Sequence, residues 1–168
     1  MLSGKVARLV TVLLIALVPA LADDSTLPPP TAPGAVNPNV TQDNIGATIC
    51  QRGWTATIRP PASYTNALKR RQLGELGYAD RDPHHFEEDH RVPLGVGGHP
   101  TSPANLWPEP RSPTGRCEPD RYTAECKDQL EGAVHLAVCA GRMSLAEGQA
   151  IFLGNWTEGY QRLGLRPH

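Results

Sequence analysis

Four cysteines constrain the fold of this 168-residue chain more than any other feature: Cys50, Cys117, Cys126 and Cys139. An even number of cysteines in an exported chain favours two disulfides, and three pairings are possible. We favour Cys117–Cys126 as a local link around a short proline-containing loop. Cys50–Cys139 would then tie the start of the domain to the end of its longest helix. A zinc site is less consistent with the sequence, since no Cys-x-x-Cys spacing occurs.

The N-terminus indicates export. Lys5 and Arg8 precede an apolar run from Leu9 to Leu21, and the run closes on the small-residue site Ala20-Leu21-Ala22. This arrangement is typical of a secretory signal peptide. A membrane-spanning helix needs about 20 apolar residues, and this run is shorter. We therefore predict a signal peptide over residues 1–22, a secreted or cell-envelope location, and no membrane association after cleavage.

The remaining 146 residues suit one domain with a tail. Residues 23–42 contain Pro28-Pro29-Pro30, Pro33 and Pro38 among small polar residues. Such a composition favours extended conformations and does not build a core, so a disordered tail is expected there. The domain is then predicted to span residues 43–168.

The charge balance argues against tight, sequence-independent binding to nucleic acid. Removal of Lys5 and Arg8 leaves 14 of the 16 Lys and Arg residues against 17 Asp and Glu, a net charge near −3. Proteins that bind DNA through its phosphates usually carry a basic balance. A local cluster could compensate, and Lys69, Arg70 and Arg91 are the candidate nucleic-acid contacts. For the run at 69–71, a solvated helix face is an equal alternative.

The pattern of apolar residues and turn signals predicts an α+β fold in which a small β-hairpin packs against helices. The segments are a helix over 64–76 after Ser63, a strand over 87–94 before a glycine-rich turn, a second strand around 105–107, a helix over 122–140, and a last helix from the Ser144 capping box to Phe152. In the long helix Leu130, Val134 and Val138 recur at the spacing of a buried face.

Chemistry concentrates around Asp89-His90, which are followed by Gly97-Gly98 and Asn105. Asp supplies a hard oxygen ligand for a divalent cation, and a histidine with a pKa near 6.5 can deprotonate water at neutral pH. Asn105 could accept a hydrogen bond from the imidazole and fix its orientation. Taken alone, a histidine beside acidic residues is more often a surface residue paired with a carboxylate.

The run Glu88-Asp89-His90-x-x-Pro93-Leu94-x-x-Gly97-Gly98, followed by Asn105-Leu106-Trp107, resembles the first two elements of the HNH endonuclease motif. Further similarities to small secreted bacterial HNH-like proteins lie at Ile49-Cys50, Gly53-Trp54-Thr55, Arg59-Pro60-Pro61, Tyr64-Thr65, Asn105-Leu106-Trp107-Pro108-Glu109-Pro110, Lys127-Asp128 and Val138-Cys139-Ala140-Gly141. The resemblance extends over residues 39–150.

The resemblance implies a disulfide-stapled ββα-metal core. Asp89 would be a metal ligand, and His90 the general base that activates water for attack on a phosphodiester. Asn105 would orient that base. One divalent ion, Mg²⁺, Mn²⁺, Zn²⁺ or Ni²⁺, would polarise the phosphate. The implied substrate is nucleic acid, DNA rather than RNA, and the oligomeric state is left open.

The third element of the motif departs from the family pattern, because a long loop containing Cys117 precedes the following helix. The candidate ligands on that helix are Asp128, Glu131 and His135. Glu131 and His135 are four residues apart and share a helix face, as do Asp128 and Glu131 at three residues apart. We prefer His135 because it restores a terminal histidine. For Asp128 and Glu131 an ordinary exposed helix face is the alternative.

The sequence thus predicts a secreted, metal-dependent endonuclease. The main alternative is a catalytically inactive module of the same fold that binds or supports another molecule. Both the acidic net charge and the irregular third element favour this alternative. A hydrolase of another class, using the carboxylates of Glu87-Glu88-Asp89, is a weaker alternative because no partner carboxylate with supporting context is evident.

Overall fold

A computed structural model describes residues 26–118 and 121–167 of the chain. The predicted signal peptide, residues 1–22, lies outside the described residues. The helices are α1 (Trp54–Ile58), α2 (Ala62–Glu75), α3 (Ala124–Cys139), α4 (Leu145–Leu153) and α5 (Trp156–Arg162), the strands are β1 (Phe86–His90) and β2 (Leu106–Pro110), and short 3-10 turns span Gln42–Ala47, Pro83–His85, Leu94–Val96 and Pro103–Asn105. Within this part of the chain, no helix is both long and apolar enough to cross a membrane.

The two strands form an antiparallel hairpin, as the sequence predicts. Asp89 lies opposite Trp107 and His90 opposite Leu106. Side chains alternate along a strand, so Asp89 and His90 leave β1 in different directions, but His90 is the last residue of the strand and both side chains border one cavity. β1 is shorter than predicted: the strand ends at His90, and the chain from 91 to 105 forms a long loop.

The helices follow the apolar periodicity. Leu130, Val134 and Val138 on α3 are buried and pack with Phe152 and Trp156 in the main core. α3 ends where Gly141 takes a positive φ of 69°, a conformation that suits glycine and stops a helix.

The helix ends show what local sequence can and cannot specify. The Ser144 capping box opens α4 as expected, with Ser144 Oγ accepting from the main-chain N–H of Glu147. α5 was not predicted, although its N-cap is a strong local signal: Asn155 Oδ1 accepts from the main-chain N–H of Thr157 at 3.1 Å.

The two disulfides join the pairs favoured from the sequence, Cys50–Cys139 and Cys117–Cys126. The first connects the segment before α1 to the last residue of α3 across 89 positions of sequence. The second connects the loop before α3 to its first turn across 9 positions. Disulfides are consistent with an oxidising, extracellular location.

The prediction of a disordered tail over 23–42 is wrong from residue 26 onward. Ala32 and Val40 are buried, and the main-chain N–H of Asn37 donates to Gly97 O at 2.8 Å. At the start of this segment, Trp156 Nε1 donates to Thr26 O at 3.2 Å. The main-chain groups of this segment hydrogen-bond to the 91–105 loop and to α5, so the packed domain includes residues 26–42.

Candidate active site

One cavity of about 530 Å³ brings together every candidate for the base and for the metal ligands. Its wall includes Asp89 and His90 from β1, and Asp128, Glu131 and His135 from α3. The opposite rim comes from the segment that leads into α1, including Arg52, and from Arg59 just after that helix. The hairpin supplies the strand residues, and the 3.6-residue repeat of α3 brings its three candidates onto one side of the helix.

His90 is held in a defined tautomer. Its side chain is almost fully buried, and Nε2 lies 2.9 Å from the main-chain oxygen of Pro100. A carbonyl oxygen only accepts hydrogen bonds, so Nε2 carries the proton and Nδ1 bears the lone pair in the neutral ring. Burial lowers the pKa of His90, and this effect outweighs the hydrogen bond to Pro100 and the charge of Asp89, which raise it. The imidazole is therefore neutral at pH 7, with Nδ1 available as a base.

Asn105 does not contact the imidazole, which corrects the prediction that its side chain orients the base directly. The amide is completely buried. Oδ1 accepts from the main-chain N–H of Val92 and of Ala35, and Nδ2 donates to the oxygens of Val92 and His99. Asn105 thus holds the main-chain oxygen of His99, and the main-chain oxygen of the next residue, Pro100, accepts the hydrogen bond from His90. The effect of Asn105 on the base passes through the 91–105 loop.

Gly98 explains the glycine-rich turn in this loop. A Cβ added at Gly98 would lie 1.7 Å from the main-chain oxygen of Val92 and 3.0 Å from Asn105 Nδ2. No side chain fits in that space. Gly98 is required here by the close approach of two main-chain segments around Asn105, and Gly97 by its positive φ of 76°.

Lys127 is a central residue of the site that sequence reasoning missed. Its side chain is completely buried, and Nζ donates to Asp89 Oδ2 at 2.6 Å, to Glu131 Oε1 at 2.5 Å and to the main-chain oxygen of His90 at 2.8 Å. A signal was present: Lys127 lies three residues before Leu130, on the same helix face as Val134. A lysine in a buried apolar stripe needs a buried partner.

The pKa values of the carboxyl groups around Lys127 shift in different directions. Burial opposes ionisation of Asp89, but the charge of Lys127 and the hydrogen bond that its Nζ donates outweigh burial and lower the Asp89 pKa. Burial raises the pKa of Glu109 well above its ordinary value, and raises that of Glu131 to about 8. Asp128 follows the same direction, through burial and the charge of Asp89. Burial thus favours the neutral forms of Glu109, Glu131 and Asp128, whereas Lys127 favours the ionised form of Asp89.

His135, the preferred ligand candidate on α3, lies on the cavity wall. Its Nδ1 donates to the main-chain oxygen of Gly95 at 2.8 Å, which leaves the lone pair of the neutral ring on Nε2. A histidine held in this way is suited to accept a proton or to bind a cation through Nε2.

The metal centre implied by the resemblance does not fit these side chains. Asp89 Oδ2 is bound by Lys127 and Asp89 Oδ1 accepts from the main-chain N–H of His90 at 2.7 Å. Glu131, a candidate partner ligand on α3, is bound by the same ammonium. Across residues 26–118 and 121–167, no three His, Cys, Asp or Glu side chains are grouped so as to hold a metal ion.

Of the predicted nucleic-acid contacts, only Lys69 lies close to the site. It lines a second cavity of about 280 Å³, which shares His90 and Arg59 with the first and also includes Arg111. Lys69 Nζ donates to the main-chain oxygen of Phe86 at 2.8 Å. Arg70 is exposed on α2 and borders neither cavity.

Arg91 has a structural role, which corrects its prediction as a nucleic-acid contact. Its guanidinium donates to the main-chain oxygens of Phe152 and Leu153 at the end of α4, and to that of Ala32. The last carbonyls of a helix lack partners within the helix and attract cations. Arg91 therefore satisfies the end of α4 and anchors the N-terminal segment.

We expect Arg91→Ala to lower the free energy of unfolding by about 2 kcal/mol, because hydrogen bonds from a charged donor contribute about 1.5–3 kcal/mol each and this group is partly exposed. Urea denaturation measures the change. Arg70→Ala is the matched control and is expected to stay within about 0.5 kcal/mol of wild type. Equal effects of the two substitutions would contradict the anchoring role.

Comparison of the chain with protein-family models, with curated proteins and with solved structures finds no match. Its function is therefore argued from the cavity and from the residues that line it.

Proposed function

We propose that this chain is an exported phosphodiesterase of the HNH (ββα) type that hydrolyses nucleic acid, DNA rather than RNA. The observation that carries the proposal is the state of His90: a neutral, buried imidazole with one nitrogen fixed by Pro100 O and the other free to act as a base. The antiparallel hairpin of β1 and β2 and the helix α3 that borders the same cavity support the proposed ββα arrangement. Arg52 and Arg59 line the same cavity and suit a phosphate group.

The proposed reaction is hydrolysis. A water molecule gives a proton to His90 Nδ1 while its oxygen bonds to phosphorus. The bond between phosphorus and the leaving oxygen then breaks, and solvent protonates the leaving oxygen. Arg52 and Arg59 would balance the charge that the phosphate gains. The divalent ion implied by the resemblance is given no step, because Asp89 and Glu131 are already bound to Lys127.

The test is cleavage of nucleic acid by the exported, disulfide-bonded chain. Supercoiled plasmid, linear DNA and RNA are each incubated with EDTA, and with Mg²⁺, Mn²⁺, Zn²⁺ or Ni²⁺. His90→Ala is expected to slow cleavage by about 10²–10⁴-fold, the usual contribution of a general base. His85→Ala is the matched control, because His85 is an exposed histidine outside both cavities that share His90. Cleavage that survives in His90→Ala would place the activity elsewhere, and no cleavage of any substrate would refute the proposal.

The pH dependence provides a second prediction. His90 acts as a base only when neutral, and burial lowers its pKa from the ordinary value of 6.5. We therefore expect kcat/KM to fall as the pH drops through a midpoint below 6.5, and to approach a plateau above that midpoint. Initial rates between pH 4 and 8 measure the midpoint. A midpoint at or above 6.5 would mean that another group is the base.

A second candidate function is a binding module of the same fold. The observation that favours it is the neutralisation of Asp89 by Lys127, which removes the anionic ligand that the family uses. Retention of DNA by the wild-type chain without turnover, measured by fluorescence anisotropy beside the cleavage assay, would support this candidate over hydrolysis.

A further inference from the structure

We infer that the Lys127 ammonium is the resident cation of this site, in the position where the resemblance expects a divalent metal ion. The chain would then bind no divalent ion between Asp89 and Glu131. The inference about ion binding stands on the contacts themselves, and only its consequence for catalysis rests on the proposed function.

The first argument is the completeness of the ammonium's contacts. An ammonium has three N–H donors, and Lys127 Nζ has three oxygen acceptors, at 2.5, 2.6 and 2.8 Å. The acceptors come from two elements, Asp89 and the main chain of His90 on β1 and Glu131 on α3. The ring of Phe152 covers the group, with its centroid 5.6 Å from Nζ. The ammonium is thus enclosed by ligands that a cation would use.

The second argument is that a metal ion cannot share this position. Mg²⁺ binds oxygen at about 2.0–2.1 Å and keeps several waters in an octahedral shell. The oxygens of Asp89 and Glu131 that would serve such an ion already converge on Nζ. Lys127 belongs to the buried face of α3 and cannot withdraw to solvent without leaving the core. Two cations at this point would also repel each other strongly.

The third argument is that the ammonium links a strand to a helix. In a ββα-metal site the ion joins a strand ligand to a helix ligand. Here Lys127 joins Asp89 of β1 to Glu131 of α3, and it also holds the main-chain oxygen of His90. It therefore couples the helix to the residue that we propose as the base. Because the cation is a lysine side chain, this link between β1 and α3 needs no bound metal ion.

The test is titration of the metal-free, disulfide-bonded chain with Mn²⁺ and with Zn²⁺. Isothermal titration calorimetry measures the binding of both ions, and electron paramagnetic resonance also measures that of Mn²⁺. The wild-type chain is expected to bind neither ion at this site below millimolar concentration. Lys127→Ala is expected to bind Mn²⁺ at least tenfold more tightly than wild type, since it leaves the oxygens of Asp89 and Glu131 without a cation. Adding Asp89→Asn to Lys127→Ala is expected to abolish that gain.

One stoichiometric ion bound by the wild-type chain, and lost in Asp89→Asn or Glu131→Gln, would overturn the inference. Binding that both substitutions leave unchanged lies elsewhere and supports it. If Lys127→Ala does not fold, the wild-type titration and these two variants decide the question. Cleavage is measured separately. Cleavage that persists in EDTA would mean that catalysis also needs no divalent ion. A chain that neither cleaves nor binds an ion refutes the proposed function and leaves the resident cation in place.

Discussion

Replacing Asn105 with leucine is expected to lower the free energy of unfolding by about 4 kcal/mol. Four main-chain groups lose their partner at once: the N–H groups of Ala35 and Val92 and the oxygens of Val92 and His99. Leaving a buried polar group unsatisfied costs about 1–3 kcal/mol, and leucine offers nothing in exchange. Urea denaturation of the disulfide-bonded chain measures the loss.

Asn105→Asp is the informative companion. A carboxylate keeps both acceptor contacts, but it cannot donate to Val92 O or His99 O, and it places a charge in a fully buried position. We expect it to be destabilised as well. Asn66→Ala, at an exposed position of α2, is the control and is expected to change stability by less than about 0.5 kcal/mol. A loss below about 1 kcal/mol in Asn105→Leu would mean that water replaces the amide, and the loop would then not depend on it.

The kinetics of Asn105→Asp show whether Asn105 positions the base or only stabilises the fold. Asn105 holds the His99 carbonyl, and the next carbonyl along the chain, Pro100 O, fixes His90 Nε2. If this linkage sets the base, Asn105→Asp lowers kcat more than it raises KM. The midpoint of the pH–rate profile also moves toward the ordinary histidine value as His90 gains solvent. An unchanged midpoint in a folded variant would limit Asn105 to stability.

The predictable parts of this fold are those specified by neighbouring residues. The Ser144 capping box, the apolar repeat of α3 and the turn at Gly141 each act within one or two turns of chain, so their sequence patterns suffice. The cysteine pairing was also accessible, because the loop before α3 makes Cys117 and Cys126 near neighbours. That leaves Cys50 and Cys139 for each other.

The parts that escaped prediction depend on partners distant in sequence. Arg91 contacts main-chain oxygens about 60 positions away in both directions, and nothing in its immediate surroundings distinguishes it from a surface cation. The N-terminal segment hydrogen-bonds to the 91–105 loop, through Gly97 and His99 and through the side chain of Asn105. For Lys127 the spacing to Leu130 and Val134 is a signal of burial, but nothing in the neighbouring sequence indicates that Asp89 is its partner.

The acidic composition is a weaker argument against a nucleic-acid substrate than the formal charge suggests. Burial raises the pKa of Glu109 well above its ordinary value and that of Glu131 to about 8, so burial favours the neutral form of both carboxyls. The Asp89 carboxylate is neutralised by Lys127. The charge presented to a phosphate in the cavity is therefore less negative than the sequence count, and Arg52 and Arg59 act against fewer carboxylates than the sequence contains.

Removing the Cys50–Cys139 disulfide, by alanine at both positions, is expected to lower the free energy of unfolding by about 4 kcal/mol. The link closes a loop of 89 residues, and in the chain-entropy model a loop of this order constrains the unfolded chain by about 4–5 kcal/mol. The link also joins the cavity rim beside Arg52 to the end of α3, four residues beyond His135. Its loss should therefore loosen two walls of the site together. Urea denaturation measures the stability, and kcat and KM for DNA cleavage measure the effect on the site.

Cys117→Ala/Cys126→Ala is the matched control, because this second disulfide spans only 9 positions and does not line the cavity. It is expected to destabilise by roughly 3 kcal/mol or less and to keep KM close to that of wild type. The variant lacking Cys50–Cys139 should show a raised KM under conditions in which it is still folded. A loss of less than about 1.5 kcal/mol in the variant lacking Cys50–Cys139 would mean that the unfolded chain is already compact between these two positions. Residual structure there leaves less chain entropy for the disulfide to restrict. If KM rises equally in both variants, the position of the long disulfide at the cavity rim has no special consequence for the site.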